Sequence, residues 1–183
     1  MQSSPRRKRI RLDRQIYSGW LAFSVTINTL DRHRAFLDGV NVRLCLHSLR
    51  DACARHAMTV LGYCFMPDHL HLLPEVSDKS HLIDFMERFK QLSGFGYKTE
   101  TGWQLWQKGY YDHIVRQEED LEGIARYIFE NPCRAGLSND PGSYPHSGGK
   151  YFEPMLERRP EGRPYDNRAG DFDVASARVE SER

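Results

Sequence analysis

Residues 58–76, MTVLGYCFMPDHLHLLPEV, constrain the fold more than any other stretch. Two apolar, β-prone runs are separated only by Met66, Pro67 and Asp68. Proline presets one turn dihedral and aspartate can bond its own backbone, so these three residues read as a tight connection. A link that short joins antiparallel neighbours only, because a parallel crossover needs a dozen residues or more. Residues 58–65 and 69–76 are therefore expected to form a β-hairpin.

Helical and strand-like segments flank this hairpin. YSGWLAFSVTIN (17–28) is rich in aromatic and β-branched residues and predicts a first, largely buried strand. Val42, Cys45, Leu46, Leu49 and Cys53 recur at three and four, marking the inner face of a helix over 38–56. Leu82, Phe85, Met86, Phe89 and Leu92 mark a second helix over 81–97, with Gly94 and Gly96 expected to loosen its end. Residues 110–116 read as a fourth strand. A last helix over 117–131 has Glu118, Glu119 and Asp120 at its positive end, and Pro132 is expected to stop it. The order β-α-β-β-α-β-α predicts an α+β, ferredoxin-like antiparallel sheet with one further helix.

At 183 residues the chain has room for one domain of ordinary core size. No apolar run approaches the length of a membrane span, and no apolar stretch follows the basic N-terminus, so neither membrane insertion nor secretion is expected. The cysteines Cys45, Cys53, Cys64 and Cys133 form no CxxC pair and read as scattered small hydrophobes of a reducing cytoplasm. Beyond Gly136 the chain becomes rich in Pro, Gly and charge. A short packed segment near Tyr144 and then a disordered tail are expected, giving an arm over 1–14, a domain over 15–147 and a tail over 148–183.

The net charge of +1 hides an uneven distribution. Residues 1–14 carry Arg6, Arg7, Lys8, Arg9, Arg11 and Arg14 against Asp13, a local +5, whereas 15–137 and 138–183 each carry −2. A basic arm on a near-neutral body suits phosphate binding, which needs local rather than global charge. It is equally the composition of a solubilising terminus.

Two clusters bear chemistry. His69 and His71 stand two apart on a predicted strand, so both imidazoles share one face while Leu70 and Leu72 take the other. Such a pair can chelate a divalent cation if a third ligand arrives from elsewhere, or can simply line a half-exposed strand. Tyr127 and Asn131 lie four apart on the last helix and are stacked on one face. The plainer roles there are a tyrosine at the core edge and an asparagine at a helix end.

Taken together, GYCFMPDHLHLL (62–73), Lys90-Gln91, LWQKGYYDHIVR (105–116) and YIFENPCRAGL (127–137) resemble the insertion-sequence-200-like HUH single-strand transposases, in particular the REP-associated tyrosine transposases. The resemblance covers about residues 15–147. It implies that His69 and His71 bind a divalent metal, that Tyr127 is the nucleophile, and that Asn131, where the better-known branch has Gln, is the third ligand. The implied reaction nicks and rejoins single-stranded, hairpin-bearing DNA through a 5′-phosphotyrosine. A free phenol, with pKa about 10, needs help to attack at neutral pH. Two nitrogen donors and an amide oxygen suit Mg²⁺ or Mn²⁺. Both a dimer exchanging the tyrosine helix and a monomer occur among such proteins.

Lys108, Arg116, Arg126 and Arg134 join the arm as candidate phosphate contacts. Trp103, Trp106, Tyr110 and Tyr111 are candidates for stacking on bases or for packing the core. Three rival readings remain. A non-catalytic, sequence-specific DNA-binding regulator derived from such a transposase would keep the fold without the chemistry. An RNA-binding module of the same fold would carry an RNP-type aromatic signature, which is not found. A hydrolase with a water nucleophile would use the histidines without Tyr127.

If the arm is the electrostatic contact, deleting residues 1–14 makes the salt dependence of single-strand binding shallower. Up to six lost phosphate contacts reduce the log–log slope by up to about 4. An unchanged slope in a salt titration would assign those charges to solubility alone.

Overall fold

The structure, a computed structural model, describes residues 21–77, 80–115 and 121–150. The expected arm, the first residues of the predicted first strand, Arg116, the acidic run 118–120 and most of the predicted tail lie outside the described residues. In chain order the elements are β1 (Leu21–Asn28), α1 (Gly39–His56), β2 (Thr59–Met66), β3 (His69–Val76), α2 (Leu82–Thr101), β4 (Tyr111–Val115), α3 (Leu121–Arg134) and β5 (Ser147–Gly148). The strands form one sheet in the order β4-β1-β3-β2-β5, every neighbouring pair antiparallel. The expected α+β, ferredoxin-like arrangement is what the chain adopts, with the short β5 added at one edge. No helix among the described residues is long and apolar enough to cross a membrane.

Both sheet faces are covered. On one, Phe23, Val25 and Ile27 of β1 join Val60, Tyr63 and Phe65 of β2 and Leu70, Leu72 and Val76 of β3. Helices α1 and α2 close that face with Val42, Cys45, Leu49, Phe85, Met86 and Phe89. On the other, Leu61, Cys64, Met66, Leu73 and Val115 pack beneath Ala125, Ile128 and Phe129 of α3. A register irregularity between Val60 and Gly62 moves β2 from one phase to the other. It explains why Val60 and Tyr63, three apart, share a face.

Helix α1 begins where expected, with the Asp38 carboxylate accepting from the Val40 N–H at 2.8 Å. Two expectations about helix ends are corrected. Gly94 and Gly96 do not loosen α2, which runs on to Thr101 and ends at Gly102 in the left-handed conformation. Their lack of a side chain serves packing: a Cβ on Gly96 would stand 3.2 Å from Leu44 of α1, and one on Gly94 3.6 Å from Trp106. Pro132 does not stop α3 either, because the helix passes through it to Arg134. Near a helix end the missing N–H forfeits one backbone bond only, and the buried ring adds packing. The turn closes instead through Leu137 N–H to Pro132 O at 2.8 Å, with Gly136 left-handed. Asn131 is thus an interior helical residue, not a terminal one.

The expected packed segment near Tyr144 is present. Its hydroxyl donates to Phe65 O at 2.7 Å, and His146 O accepts from Phe65 N–H at 2.8 Å, tying the chain after α3 to β2. Gly149 follows with φ 121, where a Cβ would lie 2.7 Å from both Gly62 Cα and Leu61 O. Gly149→Ala is therefore expected to cost about 2 kcal/mol or more, through strain and backbone overlap together. Gly136→Ala, with φ 68 but open space around it, is expected to cost about 1 kcal/mol. Urea midpoints check the ordering, and equal shifts would refute the close approach at β2.

Candidate active site

The alternation of β3 decides where the histidines go. Leu70 and Leu72 are fully buried beneath α1 and α2. His69 and His71 must then project from the opposite face, the one α3 covers. Antiparallel pairing sets Thr26 of β1 opposite His71 and Asn28 opposite His69.

The two rings meet edge to face, with His69 Nε2 and His71 Nε2 3.1 Å apart. Each ring is anchored through its other nitrogen. His69 Nδ1 lies 2.6 Å from Asp68 Oδ1, and His71 Nδ1 lies 3.1 Å from Thr26 Oγ1. Asp68 is held in turn by Arg32 Nε at 2.8 Å, and Arg32 also donates to Asn28 Oδ1 at 2.6 Å. Sequence reasoning missed Thr26, Asn28, Arg32 and Asp68 as members of the site. A signal existed for two of them: Ser24, Thr26 and Asn28 alternate with Phe23, Val25 and Ile27 along β1, so the strand is polar on one face.

Burial keeps His71 neutral. It pushes the ring down to about 4, with the charges of His69 and Arg32 adding to the effect. Burial raises the Asp68 carboxyl, but the His69 hydrogen bond and the charges of His69 and Arg32 outweigh it and hold the group ionised below its ordinary value. Cys64, opposite His71 on β2, is pushed up to about 12 by burial and is a neutral thiol in the metal-free protein at physiological pH.

Helix α3 carries the other two residues. Tyr127 is 51% exposed, and the Arg134 guanidinium stacks over its ring at 4.9 Å. Asn131 is half-buried, and its Nδ2 is buried without a hydrogen-bond partner among the described residues. The structure brings His69 and His71 into contact and sets the helix of Tyr127 and Asn131 on the same sheet face. No hydrogen bond joins Tyr127 or Asn131 to the histidines among the described residues.

The donor set suits a divalent cation. Neighbouring ligands of an octahedral ion at about 2.1 Å stand about 3.0 Å apart, close to the spacing of the two Nε2 atoms. No group of three or more His, Cys, Asp and Glu assembles among the described residues. A third protein ligand drawn from them would be of another type, such as an amide oxygen; the unpartnered atom of Asn131 is Nδ2, a donor, which does not itself ligate a cation.

The candidate phosphate contacts differ in their surroundings. Arg126 pairs with Glu122 at 2.9 Å and Arg134 with Glu130 at 2.8 Å, each one helical turn away and exposed. Lys108 is exposed on the loop before β4. Arg6, Arg7, Lys8, Arg9 and Arg116 lie outside the described residues. Of the aromatics, Trp106 belongs to the core, its Nε1–H donating to Ser93 Oγ at 2.9 Å, and Tyr110 packs at the core edge. Trp103 and Tyr111 are exposed.

The neutral state of His71 has a pH signature in metal-free protein. Its folded value lies below the ordinary 6.5, so between them the unfolded chain takes up a proton that the folded one does not. Stability is complete above about pH 6.5 and falls as pH drops toward 4, by on the order of 2–3 kcal/mol. Urea unfolding in EDTA across that window should show the fall, and His71→Gln should flatten it. An equal slope in the variant would remove His71 as its source.

The sequence profile described as "Transposase IS200 like" matches residues 21–131. A Haemophilus influenzae protein named as a REP-associated tyrosine transposase is 26% identical over 149 residues, covering 73% of this chain and 82% of that protein. An uncharacterised protein of the same organism is 32% identical over 76 residues, 40% of this chain and 42% of that one. Among solved structures, a REP-associated tyrosine transposase bound to a REP hairpin shares the fold, with a TM-score of 0.66 at 18% identity over 94% of this chain and 96% of that one. With most of the domain matched, including β1, the histidine strand and the helix of Tyr127, the chain belongs to the IS200-like transposase family.

Proposed function

We propose that this protein nicks and rejoins single-stranded, hairpin-bearing DNA, using Tyr127 as nucleophile beside a divalent cation held by His69, His71 and Asn131. The observation that carries the reading is the pair of Nε2 atoms 3.1 Å apart, each ring tethered through its Nδ1, on the sheet face covered by the helix of a solvent-accessible tyrosine. The related transposase bound to a REP hairpin supports hairpin DNA as the substrate.

Burial keeps His71 uncharged, so an imidazole lone pair is available at neutral pH. Asn131 adds an amide oxygen from one turn beyond Tyr127. A divalent cation bound there, Mg²⁺ or Mn²⁺, supplies positive charge that offsets the developing charge on the scissile phosphate. The Tyr127 oxygen attacks phosphorus as its proton passes to solvent. A tyrosyl O–P bond forms, the P–O3′ bond breaks, and the departing 3′ oxygen takes up a proton. The product is a 5′-phosphotyrosyl enzyme and a free 3′-hydroxyl. Because one phosphoester replaces another, a 3′-hydroxyl can reverse the exchange and rejoin the strand. The exposed Trp103 and Tyr111 supply faces for unstacked bases, and Lys108, Arg126 and Arg134 supply charge for phosphates.

Labelled hairpin-bearing single strands incubated with Mn²⁺ should give a covalent adduct that survives denaturation. Tyr127→Phe should abolish it, by at least about 10³-fold, and should leave the melting temperature unchanged because the residue is half exposed. His69→Ala should lower cleavage by about 10²-fold or more while DNA binding is retained. Hairpin binding without an adduct in wild-type protein would instead identify a non-catalytic DNA-binding regulator.

A further inference from the structure

The loop after β1 takes an unusual path. Asp31 and Arg32 are consecutive non-glycine residues in the left-handed region, with φ 51 and 58. Each such residue costs on the order of 1 kcal/mol in sterics, and the strain persists only where neighbouring contacts hold it. Here the contacts are those of the Arg32 side chain, which this backbone directs onto Asn28 Oδ1 at 2.6 Å and Asp68 Oδ2 at 2.8 Å. The other carboxylate oxygen of Asp68 faces His69 Nδ1 at 2.6 Å. Asp68 is tied down independently by its backbone: its carbonyl accepts from Thr29 N–H at 3.1 Å and from Thr29 Oγ1 at 2.8 Å. The carboxylate is therefore clamped from its main chain and from Arg32, with one oxygen left for the histidine.

We infer that Asp68 and Arg32 are positioning residues of the site, Asp68 holding His69 in the Nδ1–H tautomer so that Nε2 presents its lone pair, and Arg32 holding Asp68. A carboxylate accepts only, so the proton between the two groups belongs to Nδ1. His71 has a different partner, because the hydroxyl of Thr26 can donate or accept. His71 is accordingly free to exchange tautomers, and His69 is not. In metal-free protein His71 Nε2–H donates to His69 Nε2 across the 3.1 Å gap while Thr26 donates to His71 Nδ1. When the His71 lone pair is needed, its proton moves to Nδ1 and the Thr26 hydroxyl turns to accept it. Carboxylate support of this kind raises ligand basicity and fixes ring orientation at metal sites, and its loss costs about 10- to 100-fold in metal affinity.

The inference rests on the metal reading of His69 and His71 proposed above, so the test has one arm that needs no metal. In the full chain with ¹⁵N-labelled histidine, freed of metal and held at mildly alkaline pH, long-range ¹H–¹⁵N spectra report each tautomer. Wild-type His69 should be Nδ1-protonated, Asp68→Ala should give a mixture, and Arg32→Gln should shift part of the way. Arg32 is half exposed, so that variant keeps the question open to experiment should Asp68→Ala fail to fold. In the second arm, Mn²⁺ affinity measured by calorimetry should fall about 10- to 100-fold in Asp68→Ala and less in Arg32→Gln. Unchanged tautomers in both variants, or shifted tautomers with unchanged Mn²⁺ affinity, overturn the inference. A wild-type chain that binds no Mn²⁺ overturns the metal reading itself, while the tautomer of His69 still decides whether Asp68 sets it.

Discussion

The antiparallel pairing of β1 with β3 is the contact on which the site depends. Both strands are flanked on both sides within the sheet, and their register sets Thr26 against His71 and Asn28 against His69. A slip of one residue would send Leu70 and Leu72 to the α3 side and both imidazoles into the layer beneath α1 and α2. The register is therefore enforced by apolar burial on one face. The polar constellation on the other face is placed by that burial and does not create it. Ionisable groups are poor at specifying structure by themselves, because their desolvation offsets much of what they gain from pairing.

The two layers divide the labour physically. Beneath α1 and α2 the sheet buries a continuous set of large apolar side chains, including Phe23, Phe36, Phe65, Phe85 and Phe89. The α3 side has a smaller cluster of apolar residues and a polar half made of Thr26, Asn28, His69 and His71. Because the larger layer secures the fold, the α3 side can carry histidines, a half-buried asparagine with an unpartnered amide and two left-handed residues. Polar groups left short of partners and strained backbone both gather where a structure does something other than hold itself together.

Much of this was legible in the residues. The hairpin could be read from Met66-Pro67-Asp68 between two apolar runs, and the face shared by His69 and His71 followed from the two-residue period of a strand. The pairing of Tyr127 with Asn131 followed from the turn of a helix. What misled was punctuation. Gly94 and Gly96 looked like the end of α2 and instead admit Leu44 and Trp106. Pro132 looked like the end of α3 and sits inside it. In each case the local preference is about 1–3 kcal/mol, and packing against other elements supplies more.

By itself, then, the sequence determined the element order, the hairpin, the histidine face and the family, because each is written in short-range periodicity or in contiguous motifs. Only the tertiary structure decided how Asp68, Arg32, Thr26 and Asn28 serve those histidines. Thr26 and His71 are 45 residues apart, and Arg32 and Asp68 are 36 apart. No local propensity links positions so distant. They meet because β1 and β3 pair in the middle of the sheet and the strained turn after β1 brings Arg32 back toward it.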